Sequence, residues 1–204
     1  MTPQALAEEI RRRADGRGRF ITALAGPPGA GKSTLAAAVV AALGPGARVV
    51  PMDGFHYDDT VLIARGQRAR KGAPETFDVA GFLNLMRRLR DDTETEVAIP
   101  VFDRTMELSR AGADIVTPDD QFLVVEGNYL LLEENPWTAL GDYFDMTVFL
   151  DVPEAELERR LIQRWLDHGK TEAEAVAWIA SNDLPNALRV TRGSRTADAV
   201  IRWQ

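Results

Sequence analysis

Apolar residues fall along this chain in two kinds of run. Short, nearly continuous runs at 20–24, 48–51, 121–126, 146–150 and 199–203 have the length and content of buried or half-buried strands. Between them, apolar positions recur at helical spacing. Leu6 and Ile10 mark a helix over 3–14, the run 35–43 a second, and Phe82, Leu83, Met86 and Leu89 a third over 79–89, with Asp78 as its cap. Behind Pro153, the residues Leu157, Leu161, Ile162 and Trp165 share one helical face. Helices are also predicted over 171–181, burying Ala177 and Trp178, and over 184–190, with short helical or loop pieces at 128–134 and 137–140.

Strands alternating with helices predict an α/β fold, a parallel sheet covered on both faces. The alternation breaks between Asp53 and Val116. A basic loop or short helix at 60–74, a strand-like stretch at 97–102, a polar excursion through Arg110 and a short apolar piece at 113–116 predict a lid or small subregion there.

The chain has 204 residues, enough for one domain with a sizeable core, and no cysteine, which excludes disulfides, thiolate metal sites and cysteine nucleophiles. A cytoplasmic location is expected, with no membrane partner: the N-terminal residues lack the apolar core of a signal peptide, and the longest purely apolar run, 35–43, is too short to span a bilayer. A formal net charge of −7 argues against nucleic acid as a partner. Arg11, Arg12 and Arg13 read as a solvated helix face. Arg65, Arg68, Arg70 and Lys71 lie outside any periodic pattern, and a substrate-facing group and a plain solvated loop weigh nearly equally for them.

The candidate chemistry centres on Gly26-Pro27-Pro28-Gly29-Ala30-Gly31-Lys32-Ser33, between the first strand and the helix after it. This octet fits G-x-x-x-x-G-K-[ST] in the strand-loop-helix context the motif needs. The glycines let backbone N–H groups turn inward around an anion, and the helix start adds unpaired N–H groups and the positive end of its dipole. Lys32 is expected at the β- and γ-phosphates, Ser33 on Mg²⁺ and Thr34 near the α-phosphate. A glycine-rich turn that binds nothing would leave unexplained a lysine at a helix start, where a cation is unfavourable.

Two carboxylates end predicted strands on the same edge of the sheet. Asp53 is placed to accept an acceptor hydroxyl's proton, or is a turn residue beside Gly54. Glu126 is placed to act on Mg²⁺, or pairs with an arginine. Arg159, Arg160 and Arg164 lie on the helix after the fourth strand, where some of them face a ligand and at least one faces solvent. His56 is a candidate substrate contact, and His168 a partner for a helix C-terminus. ATP and Mg²⁺ are therefore the expected cofactors. A kinase, a hydrolase or switch, and a regulator without turnover compete; the missing Asn-Lys-x-Asp loop disfavours a GTP switch, and the long segment after Asp53 favours a kinase with an acceptor pocket.

The stretches GPPGAGKST, MDGFHYD at 52–58, RKGAPETFD at 70–78, PVFDR at 100–104, VVEGNYLL at 124–131, and the C-terminal NDLPNA and ADAVI resemble the P-loop kinase family of uridine kinase, phosphoribulokinase and bacterial pantothenate kinase. Within it, the chain is most similar to the compact nucleoside/nucleotide kinase-like branch labelled putative fructose transport system kinase. The resemblance implies a single three-layer P-loop nucleoside triphosphate hydrolase fold over 1–204, with a five-stranded core sheet in the order 2-3-1-4-5, an acceptor-side insertion at about 54–118 and a lid at about 158–185. It implies Asp53 as base, Lys32 and Ser33 as phosphate and magnesium residues, Glu126 as the acid after the third core strand, and Arg160 or Arg164 as the mobile arginine. Arg70 and Lys71 are implicated on the acceptor side, Arg192 beside the adenine, and a homodimer is among the family's oligomeric states. His56, Asp103 and Arg110 complete the polar acceptor pocket. Uridine kinases carry a diol-binding aspartate where Gly72 stands. A small hydroxylated or anionic metabolite, such as fructose or a pantothenate-like acid, therefore outranks a nucleoside.

Overall fold

The computed structural model describes residues 1–202; Trp203, the last residue of the fifth predicted strand, lies outside them. Helix α1 (Pro3–Ala14) leads into strand β1 (Phe20–Ala25), helix α2 (Lys32–Leu43) and strand β2 (Ala47–Pro51). Helices α3 (Asp59–Ala64) and α4 (Val79–Asp91) follow, then a hairpin of β3 (Val97–Asp103) and β4 (Leu108–Val116). The chain returns to the sheet as β5 (Phe122–Gly127) and β6 (Met146–Asp151). Helices α5 (Glu154–Asp167), α6 (Glu172–Trp178) and α7 (Leu184–Gly193) precede the final strand β7 (Ala199–Arg202).

The main sheet has the order β2-β5-β1-β6-β7, and every pairing in it is parallel. Counted along its own five strands, that order is 2-3-1-4-5. β1 is central and buried at all six positions. Its side chains alternate between two apolar layers, as a strand's period of two requires. Ile21, Ala23 and Ala25 join Phe82, Met86 and Leu89 of α4, whereas Phe20 and Leu24 join Leu6 and Ile10 of α1, Leu35 and Val39 of α2 and Leu157 of α5. This is the three-layer α/β arrangement that the alternating runs predict.

Several local expectations change. In α4, Leu85 takes a buried position and Leu83 is only half-buried; Asp78 does cap the helix, its carboxylate accepting from Gly81 N. The piece expected at 113–116 is the end of a nine-residue strand that pairs antiparallel with β3 through the polar stretch: Ser109 turns inward and donates to the His56 carbonyl at 3.2 Å, while its neighbour Arg110 is exposed on the other face. Arg12 and Arg13 pair with Glu9 on the α1 surface, but Arg11 donates to the carbonyls of Ala42 and Leu43 at 2.7 and 3.0 Å, where a cation satisfies the end of α2.

The two helices expected over 171–181 and 184–190 are one continuous rod, α6 and α7 joined by a π turn at Ile179–Asp183. The wider turn shifts the buried stripe, so Ala175 and Ile179 are buried and Ala177 is exposed. Pro185 has no N–H to offer the turn below it. The carbonyl of Ser181 accepts instead from Arg70 at 3.3 Å. Among the described residues, no helix is long and apolar enough to cross a membrane.

Candidate active site

The loop between β1 and α2 opens into a cleft of about 840 Å³. Gly31, at φ +89°, is the residue before α2, a left-handed conformation that favours glycine, and no side chain caps the helix start. The first-turn N–H groups are therefore left for a ligand, which is the physical basis of an anion site. Lys32 is buried beneath them, with Nζ donating to the Pro27 carbonyl at 2.9 Å. Burial pushes this ammonium down to about 8, against the pull of Glu126 and Asp53. Pro28, Gly29, Gly31, Lys32, Ser33 and Thr34 line the cleft; Gly26, Pro27 and Ala30 shape the loop behind it, a Cβ on Gly26 meeting the Leu150 carbonyl at 3.0 Å.

The parallel register sets Pro51 opposite Glu126, so the chain leaving β2 carries Asp53 past the end of β5. Asp53 lies in a 3₁₀ turn, Met52–Phe55, whose Gly54 packs against the hairpin so closely that a Cβ would come within 2.3 Å of the Pro100 carbonyl. Burial alone would raise the Asp53 carboxyl, but His56, Arg104, Lys32 and Arg164 outweigh it and hold it below its ordinary value. The contact with Arg104, 2.7 Å from Oδ2, is the firmest of these, because burial presses the His56 imidazole towards its neutral form. Glu126 moves the other way: burial raises it, and the negative Asp53 adds to the rise against Lys32 and Ser33. Two carboxyl groups pushed apart in this manner can divide acid-base and metal duties.

Ser33 Oγ donates to Glu126 Oε1 at 3.1 Å. Both residues assigned to Mg²⁺ thus present oxygens to one spot. That donor set suits a hard cation which fills its remaining positions with water and phosphate oxygens. No cluster of three or more His, Asp or Glu side chains occurs among the described residues, and a magnesium ion shared with phosphates does not require one.

The two candidate lid arginines differ. Arg160 lines the cleft but is held by Glu156 at 2.6 Å, with a longer contact to the Ala30 carbonyl. Arg164 lines it too, and its guanidinium makes no hydrogen bond or ion pair among the described residues, lying over the Trp165 ring with its charge opposed by burial and by Arg104. Arg159 pairs with Glu156 outside the cleft. His56 is in the cleft, its ring between Phe77 and Phe102 and its Nδ1–H donating to the Asp53 carbonyl at 2.8 Å. Lys71 is also there, nearly buried, and tied to Asp59 and to the backbone carbonyl of Glu107. His168 donates to the Arg164 carbonyl at the end of α5, the helix-terminal role expected of it, and also borders the cleft.

Other expected contacts are not brought to the cleft. Arg70 is spent on Ser181 and Glu75. Asp103 accepts the N–H groups of Thr105 and Met106 and so builds the hairpin turn, with Arg110 loosely beside it. Arg192 is an exposed residue near the end of α7 and does not line the cleft. Conversely, Arg104, Phe102, Asn128, Trp165, Lys170, Trp178 and Asp183 line it without having been singled out as ligand contacts. Trp165 and Trp178 stack edge to face, Lys170 lies over both, and Trp165 donates to Asp183 at 2.7 Å. Trp165 shares its helical spacing with the apolar residues Leu157 and Leu161; its place directly after Arg164 was the available signal.

A family model described as the Phosphoribulokinase / Uridine kinase family matches residues 21–202. The chain belongs to that family. A solved structure described as a putative fructose transport system kinase from Silicibacter sp. TM1040 is 45% identical, with complete coverage of both chains and a TM-score of 0.93. An uncharacterized Escherichia coli protein, YggC, is 38% identical over 90% of this chain and 77% of its own length. A protein named as a putative uridine kinase from Schizosaccharomyces pombe is 34% identical over 90% of this chain and 83% of its own length. Against a pantothenate kinase from Sorangium cellulosum the identity is 30%, and only 56% of that relative is covered. This member of the phosphoribulokinase / uridine kinase family is a P-loop small-molecule kinase, of a group that uses ATP with Mg²⁺.

Proposed function

We propose that the protein transfers the γ-phosphoryl group of ATP to a hydroxyl of a small polar metabolite, with Asp53 as the base. The observation that carries this reading is an ionised, cleft-lining Asp53 in the same cavity as Lys32, Ser33 and Glu126. The Asp53 carboxylate takes the hydroxyl proton while the hydroxyl oxygen bonds to the γ-phosphorus and the bond to the β-γ bridging oxygen breaks, leaving ADP. Lys32 and the first-turn N–H groups hold the phosphates, and Arg164 supplies mobile positive charge. Ser33 and Glu126 would hold Mg²⁺, which when bound neutralises charge on the β- and γ-phosphate oxygens.

The acceptor is the finer question. The relatives bear names pointing to fructose, uridine and pantothenate. A sugar or hydroxy acid remains our first reading, because Gly72 lines the cleft and offers no carboxylate to a ribose diol. A nucleoside is the second, favoured by aromatic surface at Phe102, Trp165 and Trp178. An ADP-release assay over sugars, pantothenate-like acids, vitamins and nucleosides tests both. Acceptor-stimulated release is expected with a sugar or acid. Strong uridine phosphorylation with no sugar or acid activity would reverse the ranking, and tight ATP binding without stimulated release by any acceptor would support a nucleotide-binding regulator.

A further inference from the structure

The cleft is positively charged in a protein whose net charge is −7. Beyond Lys32, Arg160 and Arg164, it is lined by Arg68, Lys71, Arg104 and Lys170. Arg68 and Lys71 share Asp59 as partner. Arg104 stands apart because its partner is Asp53, the proposed base, at 2.7 Å.

Arg104 is held in that position by construction. It lies in the turn between β3 and β4, where Asp103 accepts two successive backbone N–H groups at 3.0 Å and Lys71 donates to the Glu107 carbonyl at 2.8 Å. The arginine side chain is 45% exposed and the aspartate 23%, so the guanidinium covers the carboxylate from the solvent side. A carboxylate bonded to a guanidinium is a weaker base and has one oxygen occupied. A neutral acceptor must break this ion pair and leave the charges uncompensated. An acceptor with its own anionic group can take over the guanidinium, so that one charge-assisted partner replaces another. Arg164, which has no carboxylate partner among the described residues, is near enough to feel the Arg104 charge, and an anion placed there relieves both.

We infer that Arg104 determines acceptor specificity and that the acceptor is a hydroxylated anion, a carboxylate or phosphate ester whose charge draws the guanidinium off Asp53. This rests on the kinase reading and deepens it. The test is a calorimetric titration of wild type, Arg104→Gln and Arg104→Lys, each first saturated with a non-hydrolysable ATP analogue and Mg²⁺, with two matched pairs: glycerol against glycerate, and fructose against fructose 6-phosphate. In wild type, the anionic member of at least one pair should bind about 10- to 100-fold more tightly than its neutral partner, the worth of one charge-assisted contact. Arg104→Gln should lose that preference and Arg104→Lys should keep part of it. Equal affinities within both pairs, absence of binding by either anion, or a preference that survives in Arg104→Gln would overturn the inference while the bound analogue leaves the kinase reading standing. Failure of the analogue itself to bind wild type would remove the kinase reading, and this inference with it.

Discussion

Ser33 and Glu126 meet through a 3.1 Å hydrogen bond although 93 residues separate them in the chain. One belongs to the first turn of α2 and the other to the end of β5, and the parallel pairing of β5 with β1 brings both to the carboxyl edge of the sheet. With its carboxyl raised by burial and by Asp53, Glu126 favours its protonated form more than an ordinary glutamate does. A cation needs the ionised form. Magnesium binding should therefore release a proton, and its affinity should fall as the pH drops. Glu126→Gln should abolish that proton release and weaken magnesium-dependent nucleotide binding. Titration of Mg²⁺ with ATP at several pH values measures both, and a pH-independent affinity identical in the two proteins would show that Glu126 does not serve the ion.

Lys32 supplies a second proton signature with the opposite sign. Its ammonium, held at about 8 by burial, is partly neutral in the empty site at pH 8 and above. A triphosphate beside it restores the charged form, so nucleotide binding near that pH should take up a proton. Calorimetry of ATP binding in buffers of different ionisation enthalpy should show the uptake at pH 8–9 and little at pH 6.5. Lys32→Ala should lose the uptake and most of the affinity; wild-type affinity in that variant would reject the phosphate role.

The sheet and the phosphate loop were legible because each rests on local chemistry. A buried strand is a short apolar run, and GPPGAGKS combines glycines, lysine and serine in an order that a tight anion loop explains. The two strand-end acids were legible for the same reason, since a polar residue after a buried parallel strand has only one edge at which to emerge. The acceptor side was not. Asp103 and Arg70 looked like ligand contacts because they are charged and lie in the right segment, but a hairpin turn and a carbonyl left over by Pro185 claim them. Arg104 follows Asp103 directly and points to Asp53, a long-range contact that depends on how the hairpin packs over Gly54. No periodicity encodes that packing.

The arginine ambiguity left by the sequence leads to a definite expectation. Arg160 is engaged by Glu156, while Arg164 sits partly buried in the cleft over the Trp165 ring, with no carboxylate partner among the described residues. Arg164→Ala should lower kcat more than it weakens nucleotide binding, by about 10²-fold or more if its charge acts mainly on the transferring phosphoryl. Arg160→Ala should have the smaller effect. Steady-state kinetics of both variants decide it, and a larger loss in Arg160→Ala would mean that lid closure exchanges the two.

Asp53→Asn separates chemistry from binding. Asparagine keeps the size of the side chain and its ability to accept from Arg104, but cannot take a proton from a hydroxyl at useful strength. Phosphoryl transfer should fall by about 10²- to 10⁴-fold, with ATP affinity changed much less, because the P-loop contacts remain. The pH profile adds an independent readout. The wild-type carboxyl, held below its ordinary value, is ionised throughout the neutral range, so any acid limb from this group should lie at or below the ordinary aspartate range. A limb at higher pH belongs instead to Glu126, whose carboxyl is raised, and should persist in Asp53→Asn at the reduced rate but move to lower pH, because the negative Asp53 no longer adds to the rise that burial causes. Full turnover by Asp53→Asn with its acceptor would make Asp53 a turn residue held by Arg104 and transfer the role of base to Glu126.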